Sequence, residues 1–340
     1  MWRGAPIACK VMRATYSSRS PAILGLQAPR RSLVREIGME LFDQNAAGCV
    51  GIIGTGRIGI AIGQRLSDTR HDLVVWNRTA TRAQPLRERG ARIVETCRAV
   101  VEQCETIIVV VRDSDSIRDV YFGPAGLCAG SLAGRVIVEM TTATIEIVKQ
   151  AGTAVKAAGG RFIDAPISGT VTPARNGELI VMAGGPDEDL AAARPVLEHL
   201  ARKLVHVGPV GAGIAMKLVL NLPLASYWQT LGEALALGQK NGLELGAMLS
   251  LIVESKAAVG ALQSKLPKIL DAGSSVEFDL AGMYKDLLCM QESAAAAGLD
   301  LPASAAAARS AGQAVQHGWG DRDLAQLVRF VADGIGRSEK

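Results

Sequence analysis

The sequence is poor in the residues and patterns that mark several common classes of protein. It has 340 residues but only four histidines, and none of these stands in a His-x-x-x-His or Glu-x-x-His pattern, so we expect no metal site. The six cysteines form no Cys-x-x-Cys pair, and their wide spacing offers no disulfide framework. We therefore expect reduced, mostly buried thiols, which fit a reducing compartment.

Long hydrophobic runs are also missing. The longest strongly apolar stretch, residues 107–111, is far shorter than the roughly 20 residues that a membrane-spanning helix needs, so no membrane partner is expected. Hydrophobic residues still make up 49% of the chain and charged residues 21%, a composition that can bury a large core. At roughly 150 residues per domain, the length indicates about two domains.

Acidic residues are absent from the first 35 positions, which carry seven of the 37 lysines and arginines. Without them, 30 basic residues face 33 acidic ones, so the rest of the chain has a charge of −3 and no nucleic-acid partner is expected. The Arg- and Ser-rich residues 1–47 are typical of a mitochondrial transit peptide or of a translation start placed too far upstream, and we expect them to be disordered. The second interpretation, which we favour, predicts a cytoplasmic protein; the first predicts the mitochondrial matrix.

From residue 48 onwards, short apolar runs alternate with helical spacing. The runs predict strands at 50–53, 73–76, 92–94, 106–111, 136–140, 161–165, 178–183 and 204–207. This alternation predicts an α/β fold, a Rossmann-type doubly wound domain with a largely parallel sheet over residues 48–208. After residue 208 the pattern is helical, so residues 209–335 are predicted to form an all-α substrate and dimerisation domain that begins with a long helix at 211–241.

A glycine-rich motif joins the first predicted strand to the first predicted helix. The motif Gly-x-Gly-x-x-Gly consists of Gly54, Thr55, Gly56, Arg57, Ile58 and Gly59. In this context Gly54 permits a tight turn, Gly56 lets a pyrophosphate approach the backbone, and Gly59 lets helix and strand pack closely. The helix N-terminus presents free N–H groups to the phosphates, so the motif predicts a dinucleotide cofactor.

The residues after the second predicted strand indicate which dinucleotide binds. Asn77, Arg78 and Thr79 stand where an NAD site usually has Asp or Glu for the ribose 2′-hydroxyl. An acidic side chain would repel a 2′-phosphate, whereas Arg78 can hold one through a charge-assisted pair. We therefore predict NADP rather than NAD; the alternative interpretation of Arg78 is a solvated surface arginine.

Lys217 and Asn221 are four residues apart in the predicted long helix and therefore share one face. Because that face is otherwise apolar, the ammonium of Lys217 is expected to be partly desolvated, which lowers its pKa and suits it to general acid–base catalysis. Asn221 can donate and accept hydrogen bonds, so it can orient the lysine and a substrate oxygen. Pro223 lacks an N–H group and predicts a kink in this helix.

A second polar segment follows the predicted strand at 161–165. Ser168, Gly169 and Thr170 are expected at the carboxyl edge of the sheet, where open α/β sheets bind ligands. The Ser168 hydroxyl and the N–H groups of Gly169 and Thr170 predict a nest of donors for a carboxylate-bearing small substrate. A Ser-Gly turn without a ligand fits the same spacing equally well.

Four motifs, in this order, resemble those of the β-hydroxyacid dehydrogenase family, which includes 3-hydroxyisobutyrate dehydrogenases and glyoxylate/succinic semialdehyde reductases. They are the glycine loop at 54–59, residues 164–169 with the glycines that follow, residues 211–221, and Phe278 with Lys285-Asp286-Leu287. The resemblance implies an NAD(P)-dependent oxidoreductase with a 6-phosphogluconate dehydrogenase-like C-terminal domain that forms a homodimer or homotetramer.

The resemblance also implies roles for individual residues. Lys217 would be the acid/base residue with Asn221 as its partner, and Ser168 and Gly169 would contact the substrate carboxylate. Cofactor contacts are implied for Val111, Arg112, Asp113, Thr142 and Lys285. In three places the chain departs from the usual pattern of the family: at Glu139, which replaces Asp, and at Arg112 and Thr170. These departures bear on which substrate binds and not on the type of reaction.

The implied reaction is the NADP-dependent interconversion of a short 3-hydroxy acid and its semialdehyde or oxo acid, as in 3-hydroxyisobutyrate dehydrogenases. The first alternative is an NADPH-dependent glyoxylate/succinic semialdehyde reductase. Two further alternatives are an imine reductase-like enzyme, which would usually lack a lysine at position 217, and a non-catalytic NADP-binding scaffold. Lys217, Asn221 and Ser168 together argue against the last two.

Overall fold

The computed structural model describes residues 48–270 and 275–334. The predicted disordered extension at residues 1–47 lies outside these described residues. Among the helices that are described, none is both long enough and apolar enough to cross a membrane.

A single sheet forms the centre of the first half of the described chain. Its strands are β1 (Cys49–Ile53), β2 (Asp72–Trp76), β3 (Arg92–Ile93), β4 (Thr106–Val109), β5 (Val136–Glu139), β6 (Arg161–Asp164), β7 (Ile167–Ser168), β8 (Leu179–Gly184) and β9 (Ala201–Gly208). The order is β3-β2-β1-β4-β5-β6-β8-β7, with β9 beside β8. Strands β1 to β6 pair in parallel, whereas β8 runs antiparallel to β6 and β7. The chain reverses direction across the sheet between β1 and β4, which is where doubly wound sheets bind ligands.

Helices cover the sheet and form the second half of the described chain. They are α1 (Arg57–Asp68), α2 (Gln84–Arg87), α3 (Cys97–Gln103), α4 (Ser114–Phe122), α5 (Ile145–Ala157), α6 (Val171–Asn176), α7 (Asp187–Leu200), α8 (Ala212–Lys240), α9 (Leu245–Glu254), α10 (Leu262–Leu270), α11 (Leu280–Ala296), α12 (Pro302–Ala314) and α13 (Gln326–Ala332). The structure thus has an α/β N-terminal domain followed by a mostly helical region, which confirms the predicted fold class.

Neighbouring residues of each central strand enter different hydrophobic clusters, because side chains alternate between the two faces of a strand. Ile52 and Ile108 belong to one cluster, whereas Ile53 and Ile107 belong to the other. All four side chains are fully buried, so both faces of the sheet are covered. This double burial explains why the parallel strands read as continuous apolar runs.

The structure differs from the predicted elements in four short places. The pattern predicts neither α4, β7 nor α6, which are brief and mix polar with apolar residues. The helical spacing of residues 81–89 predicts one helix, but this segment forms a 3₁₀ turn (Ala80–Ala83) followed by the short α2. Helix α8 continues through Pro223, and the kink there stays a prediction.

Two cysteines correct the expectation of reduced thiols. Cys49 at the start of β1 and Cys104 after α3 are paired as a disulfide, with their Cα atoms 5.2 Å apart. Helix α3 packs beneath β1 and brings together residues that are 55 positions apart, which no spacing rule reveals. Cys97 and Cys289 are free and buried, as expected for structural thiols.

Candidate active site at the carboxyl edge of the sheet

Each of the three glycines in the turn between β1 and α1 is needed for a different physical reason. Gly54 has a φ of 100°, and a Cβ there would collide with the carbonyl oxygen of Val110. A Cβ at Gly59 would collide with the carbonyl oxygen of Gly54. At Gly56, by contrast, no heavy atom of the described chain lies within 4 Å of where a Cβ would stand. Of these three glycines, only Gly56 has open space where a side chain would stand, so a ligand can approach the backbone there.

Helix α1 begins at this open side. Its N-cap is Gly56, which has no side chain to occupy the free N–H groups, and its first turn contains no acidic residue. The positive end of the helix dipole and the unoccupied donors favour an anion. The residues present thus fit the pyrophosphate of a dinucleotide.

Asn77 joins the glycine loop to the loop after β2. Its Oδ1 accepts a hydrogen bond from the N–H of Thr55 at 3.0 Å, and its Nδ2 donates to the carbonyl of Thr79 at 2.9 Å. The next side chain, Arg78, is 81% exposed and lies 4.0 Å from Asp119, also exposed. Because exposed pairs of this kind contribute little energy, Arg78 is free to reach a ligand phosphate.

A buried carboxylate organises the loops after β4 and β5. Glu139 is 1% exposed and accepts hydrogen bonds from the N–H of Thr141 at 2.7 Å and the hydroxyl of Tyr121 at 2.9 Å. Thr141 Oγ1 in turn accepts from the N–H of Val111 at 3.0 Å. Burial raises the pKa of Glu139 to about 7, although these hydrogen bonds oppose the shift. Glu139 therefore fixes the position of Val111.

The two residues that follow Val111 differ in exposure and in role. Asp113 caps α4 by accepting from the N–H of Ser116 at 2.8 Å. Arg112 is exposed and lies 3.8 Å from the Asp113 carboxylate. Asp113 is thus committed to the local fold, whereas Arg112 projects from the loop.

Helices α8 and α11 bring four polar side chains together. Asn221 Nδ2 donates to Asp286 Oδ2 at 3.3 Å, and Lys285 Nζ lies 2.5 Å from Asp286 Oδ1. Lys285 Nζ also donates to the carbonyl of Thr142 at 2.6 Å, which ties α11 to the loop after β5. Burial lowers the pKa of Lys217; the Asp286 carboxylate opposes this shift and Lys285 adds to it. A lysine with a lowered pKa loses its proton more readily than an exposed lysine, which suits it to give and take a proton.

A second buried carboxylate connects the end of β6 with the start of α8. Asp164 Oδ1 accepts from the N–H of Gly211, and its Oδ2 accepts from the N–H of Ile214, both at 2.8 Å. Burial raises the pKa of Asp164 to about 6 against the effect of these bonds. Four residues after Asp164, Ser168 pairs with Ile180 of β8 at the same edge of the sheet.

The turn after Ser168 is shaped by its packing. Gly169 has a φ of 139°, and a Cβ there would lie 2.7 Å from Leu179 and 3.1 Å from Pro173. Thr170 then caps α6 without a side-chain hydrogen bond. Its hydroxyl is therefore not committed to the helix.

The structure brings the predicted site residues into two groups. In the first group, Asn221 and Lys285 contact Asp286, which also acts electrostatically on Lys217, and Lys285 bonds the carbonyl of Thr142. In the second group, Asn77 and Arg78 stand at the loop after β2. Three acidic residues for which the sequence predicts no role hold these groups in place. They are Glu139, Asp164 and Asp286. Each ends or interrupts an apolar run, which is the signal that a buried, hydrogen-bonded carboxylate leaves in a sequence.

Two family profiles match consecutive parts of this chain. One, described as the NAD-binding domain of 6-phosphogluconate dehydrogenase, matches residues 49–208. The other, described as NAD-binding of NADP-dependent 3-hydroxyisobutyrate dehydrogenase, matches residues 211–331. The two profiles meet just before α8, the helix that carries Lys217.

Curated and solved proteins agree with these matches. Glyoxylate/succinic semialdehyde reductase 1 of Arabidopsis thaliana is 27% identical over 282 residues, covering 83% of this chain and 98% of the relative. A 3-hydroxyisobutyrate dehydrogenase of Mycobacterium tuberculosis, solved with L-serine, shares the fold with a TM-score of 0.75 at 23% identity, covering 84% of this chain and 99% of that chain. Psf3 in complex with NADP+ and 2-OPP has a TM-score of 0.74 at 25% identity over 83% of this chain and 99% of its own. The chain belongs to the β-hydroxyacid dehydrogenase family of NAD(P)-dependent oxidoreductases.

Proposed function

We propose that this protein is an NADP-dependent dehydrogenase that interconverts a short 3-hydroxy acid and its semialdehyde or oxo acid, as 3-hydroxyisobutyrate dehydrogenases do. The observation that carries the proposal is the cluster between α8 and α11, in which Asn221 and Lys285 contact Asp286 and this carboxylate opposes the lowering of the Lys217 pKa by burial. A partly buried ammonium with a lowered pKa, in a chain that also carries a dinucleotide loop, suits the proton transfer that accompanies carbonyl reduction by hydride.

A nicotinamide cofactor held by the glycine loop at residues 54–59 would supply the hydride. Lys217 donates a proton from Nζ to the substrate oxygen as negative charge develops there, and in the reverse direction the neutral amine takes the proton back. Asn221, fixed by its bond to Asp286, orients the same oxygen. The Ser168 hydroxyl and the N–H groups of Gly169 and Thr170 bind the carboxylate and keep the carbonyl in reach of Lys217.

Arg78 supports NADP over NAD. Its guanidinium is exposed and only loosely associated with Asp119 at 4.0 Å, and Asn77 puts a neutral amide where an acidic residue would repel a phosphate. Asn77 is already committed to the N–H of Thr55, so Arg78 is left to bind the 2′-phosphate. The neighbouring structure of Psf3 was solved with NADP+.

A second candidate is a glyoxylate/succinic semialdehyde reductase, because the Arabidopsis reductase of that name aligns over 98% of its length. The same residues would serve both reactions, since both substrates carry a carboxylate and a reactive carbonyl. Thr170 adds a side chain beside the proposed carboxylate site and is where we expect the two substrate classes to be distinguished.

A kinetic panel tests the proposal. Methylmalonate semialdehyde, glyoxylate and succinic semialdehyde are assayed with NADPH, and 3-hydroxyisobutyrate is assayed with NADP, each in parallel with the corresponding NAD cofactor. We expect the highest kcat/KM for the 3-hydroxyisobutyrate pair with the phosphorylated cofactor. A higher kcat/KM for glyoxylate or succinic semialdehyde would establish the second candidate, and no turnover despite tight NADPH binding would contradict both.

A further inference from the structure

We propose that Asp164 is a positioning residue: it fixes the start of α8 and thereby aims Lys217 at a substrate held by residues 168–170. The inference rests on the proposed function, because Asp164 has no chemistry of its own and matters only if Lys217 is the acid/base residue. Its action is through Lys217 alone.

The carboxylate of Asp164 caps helix α8, although Asp164 is distant from this helix in the sequence. The N-cap of α8 is Gly211, which has a φ of 93° and no side chain to bond the free N–H groups of the first turn. Asp164, 47 residues earlier, accepts the N–H of Gly211 with one oxygen and that of Ile214 with the other, each at 2.8 Å. A negative charge at this end also complements the helix dipole.

The surrounding backbone closes tightly around this carboxylate. A Cβ at Gly213 would lie 2.7 Å from Asp164 Oδ2 and 2.5 Å from the carbonyl oxygen of Met182. A Cβ at Gly184 would lie 2.5 Å from Asp164 Oδ1. Strands β6 and β8 and the first turn of α8 therefore meet around one fully buried side chain, and α8 has a single start position.

Asp164 connects the two halves of the proposed site. Ser168 follows it by four residues along the chain, and Lys217 follows Ile214 by three residues, about one helical turn. A shift of the helix start moves Lys217 relative to the carboxylate-binding segment. Misplacement of a reacting group by about 1 Å can cost about 100-fold in rate.

The substitution Asp164→Asn keeps the shape of the side chain but places an NH₂ group opposite a backbone N–H. Its matched control is Asp189→Asn, because Asp189 accepts the N–H of Phe162, on the same strand, at 3.3 Å and its hydrogen bond is not to α8. Rates are expressed per NADPH-binding site, measured by fluorescence titration. If Asp164→Asn yields no NADPH-binding protein, the smaller Asp164→Ser replaces it under the same criteria.

We expect Asp164→Asn to lower kcat at least tenfold, with the Kd for NADPH within twofold of the original and Asp189→Asn unchanged. The same substitution is then made in a Lys217→Ala background, where the residual rate no longer depends on the position of a lysine. We expect the effect of Asp164→Asn to disappear there.

An unchanged kcat in Asp164→Asn, or an equal loss in both backgrounds, would overturn the positioning role. Failure of the proposed function has a different signature. In that case Lys217→Ala by itself turns over normally, whatever Asp164→Asn does.

Discussion

Asn221 donates a hydrogen bond from Nδ2 to Oδ2 of Asp286 across 3.3 Å, and this bond joins the two helices that frame the candidate site. The same carboxylate contacts Lys285 and raises the pKa of Lys217 against the opposing effect of burial. Asp286 therefore sets the balance between the charged and neutral forms of the proposed acid/base group.

Replacing Asp286 is expected to move the pH dependence of reduction. Lys217 must be protonated to reduce a carbonyl, so kcat falls as pH rises through its pKa. Asp286→Asn keeps an oxygen that can accept from Asn221 but removes the negative charge, which lowers the pKa of Lys217 further. The alkaline limb of kcat should therefore shift to lower pH.

The control for this shift is Glu292→Gln, which removes an exposed carboxylate from the same helix. Its pH profile should match that of the unmodified protein. An alkaline limb that stays in place in Asp286→Asn would mean that this carboxylate does not act on the titrating group.

Alanine substitutions at two glycines of the cofactor loop should affect different properties: stability at Gly59 and NADPH binding at Gly56. Gly59→Ala forces a methyl group onto the carbonyl of Gly54, so we expect a loss of stability of about 1 to 3 kcal/mol in urea unfolding. Gly56→Ala meets no heavy atom of the described chain within 4 Å, so its stability should change by less than about 1 kcal/mol. Its Kd for NADPH should nevertheless rise at least tenfold, because the methyl group takes the space of the pyrophosphate. Equal NADPH affinity in Gly56→Ala would place the cofactor elsewhere.

Removal of Arg78 should affect only the phosphorylated cofactor. A charge-assisted bond to a 2′-phosphate contributes about 1.5 to 3 kcal/mol, so Arg78→Gln should raise the KM for NADPH by about 10- to 100-fold. The KM for NADH should stay within twofold, since NADH has no 2′-phosphate. Arg194→Gln, an exposed arginine on α7, is the control. Parallel changes for both cofactors would identify Arg78 as a general surface cation.

Glu139 should make the stability of the protein depend on pH. Its pKa is about 7 in the folded protein but near 4.5 in the unfolded chain, so the folded state binds the extra proton between these values. The free energy of unfolding should therefore decrease as pH rises from about 5 to about 7, by at most about 1.4 kcal/mol per pH unit from this group. Glu139→Gln should flatten that slope in urea unfolding at several pH values. Parallel curves for the two proteins would show that Glu139 keeps its ordinary pKa.

Local patterns are enough to predict the features that depend on neighbouring residues. The glycine loop, the central apolar strands and the shared face of Lys217 and Asn221 each follow from spacings of two to five residues. The fold class follows from the alternation of strands and helices, because that alternation permits few arrangements.

Features that need the tertiary structure could not be read from the sequence. Asp286 meets Asn221 across 65 residues, and Cys49 meets Cys104 across 55. Asp164 caps a helix that begins far along the chain. In each case the partner is chosen by how the elements pack, and no local pattern encodes that choice.

The central claim is that Lys217 transfers the proton, and one pair of measurements on Lys217→Ala tests it most directly. The Kd for NADPH is measured by fluorescence titration, and kcat by NADPH oxidation with the best substrate of the panel. We predict a Kd within twofold of the original and a kcat lower by about 10²- to 10⁴-fold, the range that general acid catalysis supplies. A kcat close to that of the unmodified protein, with NADPH binding intact, would contradict the account.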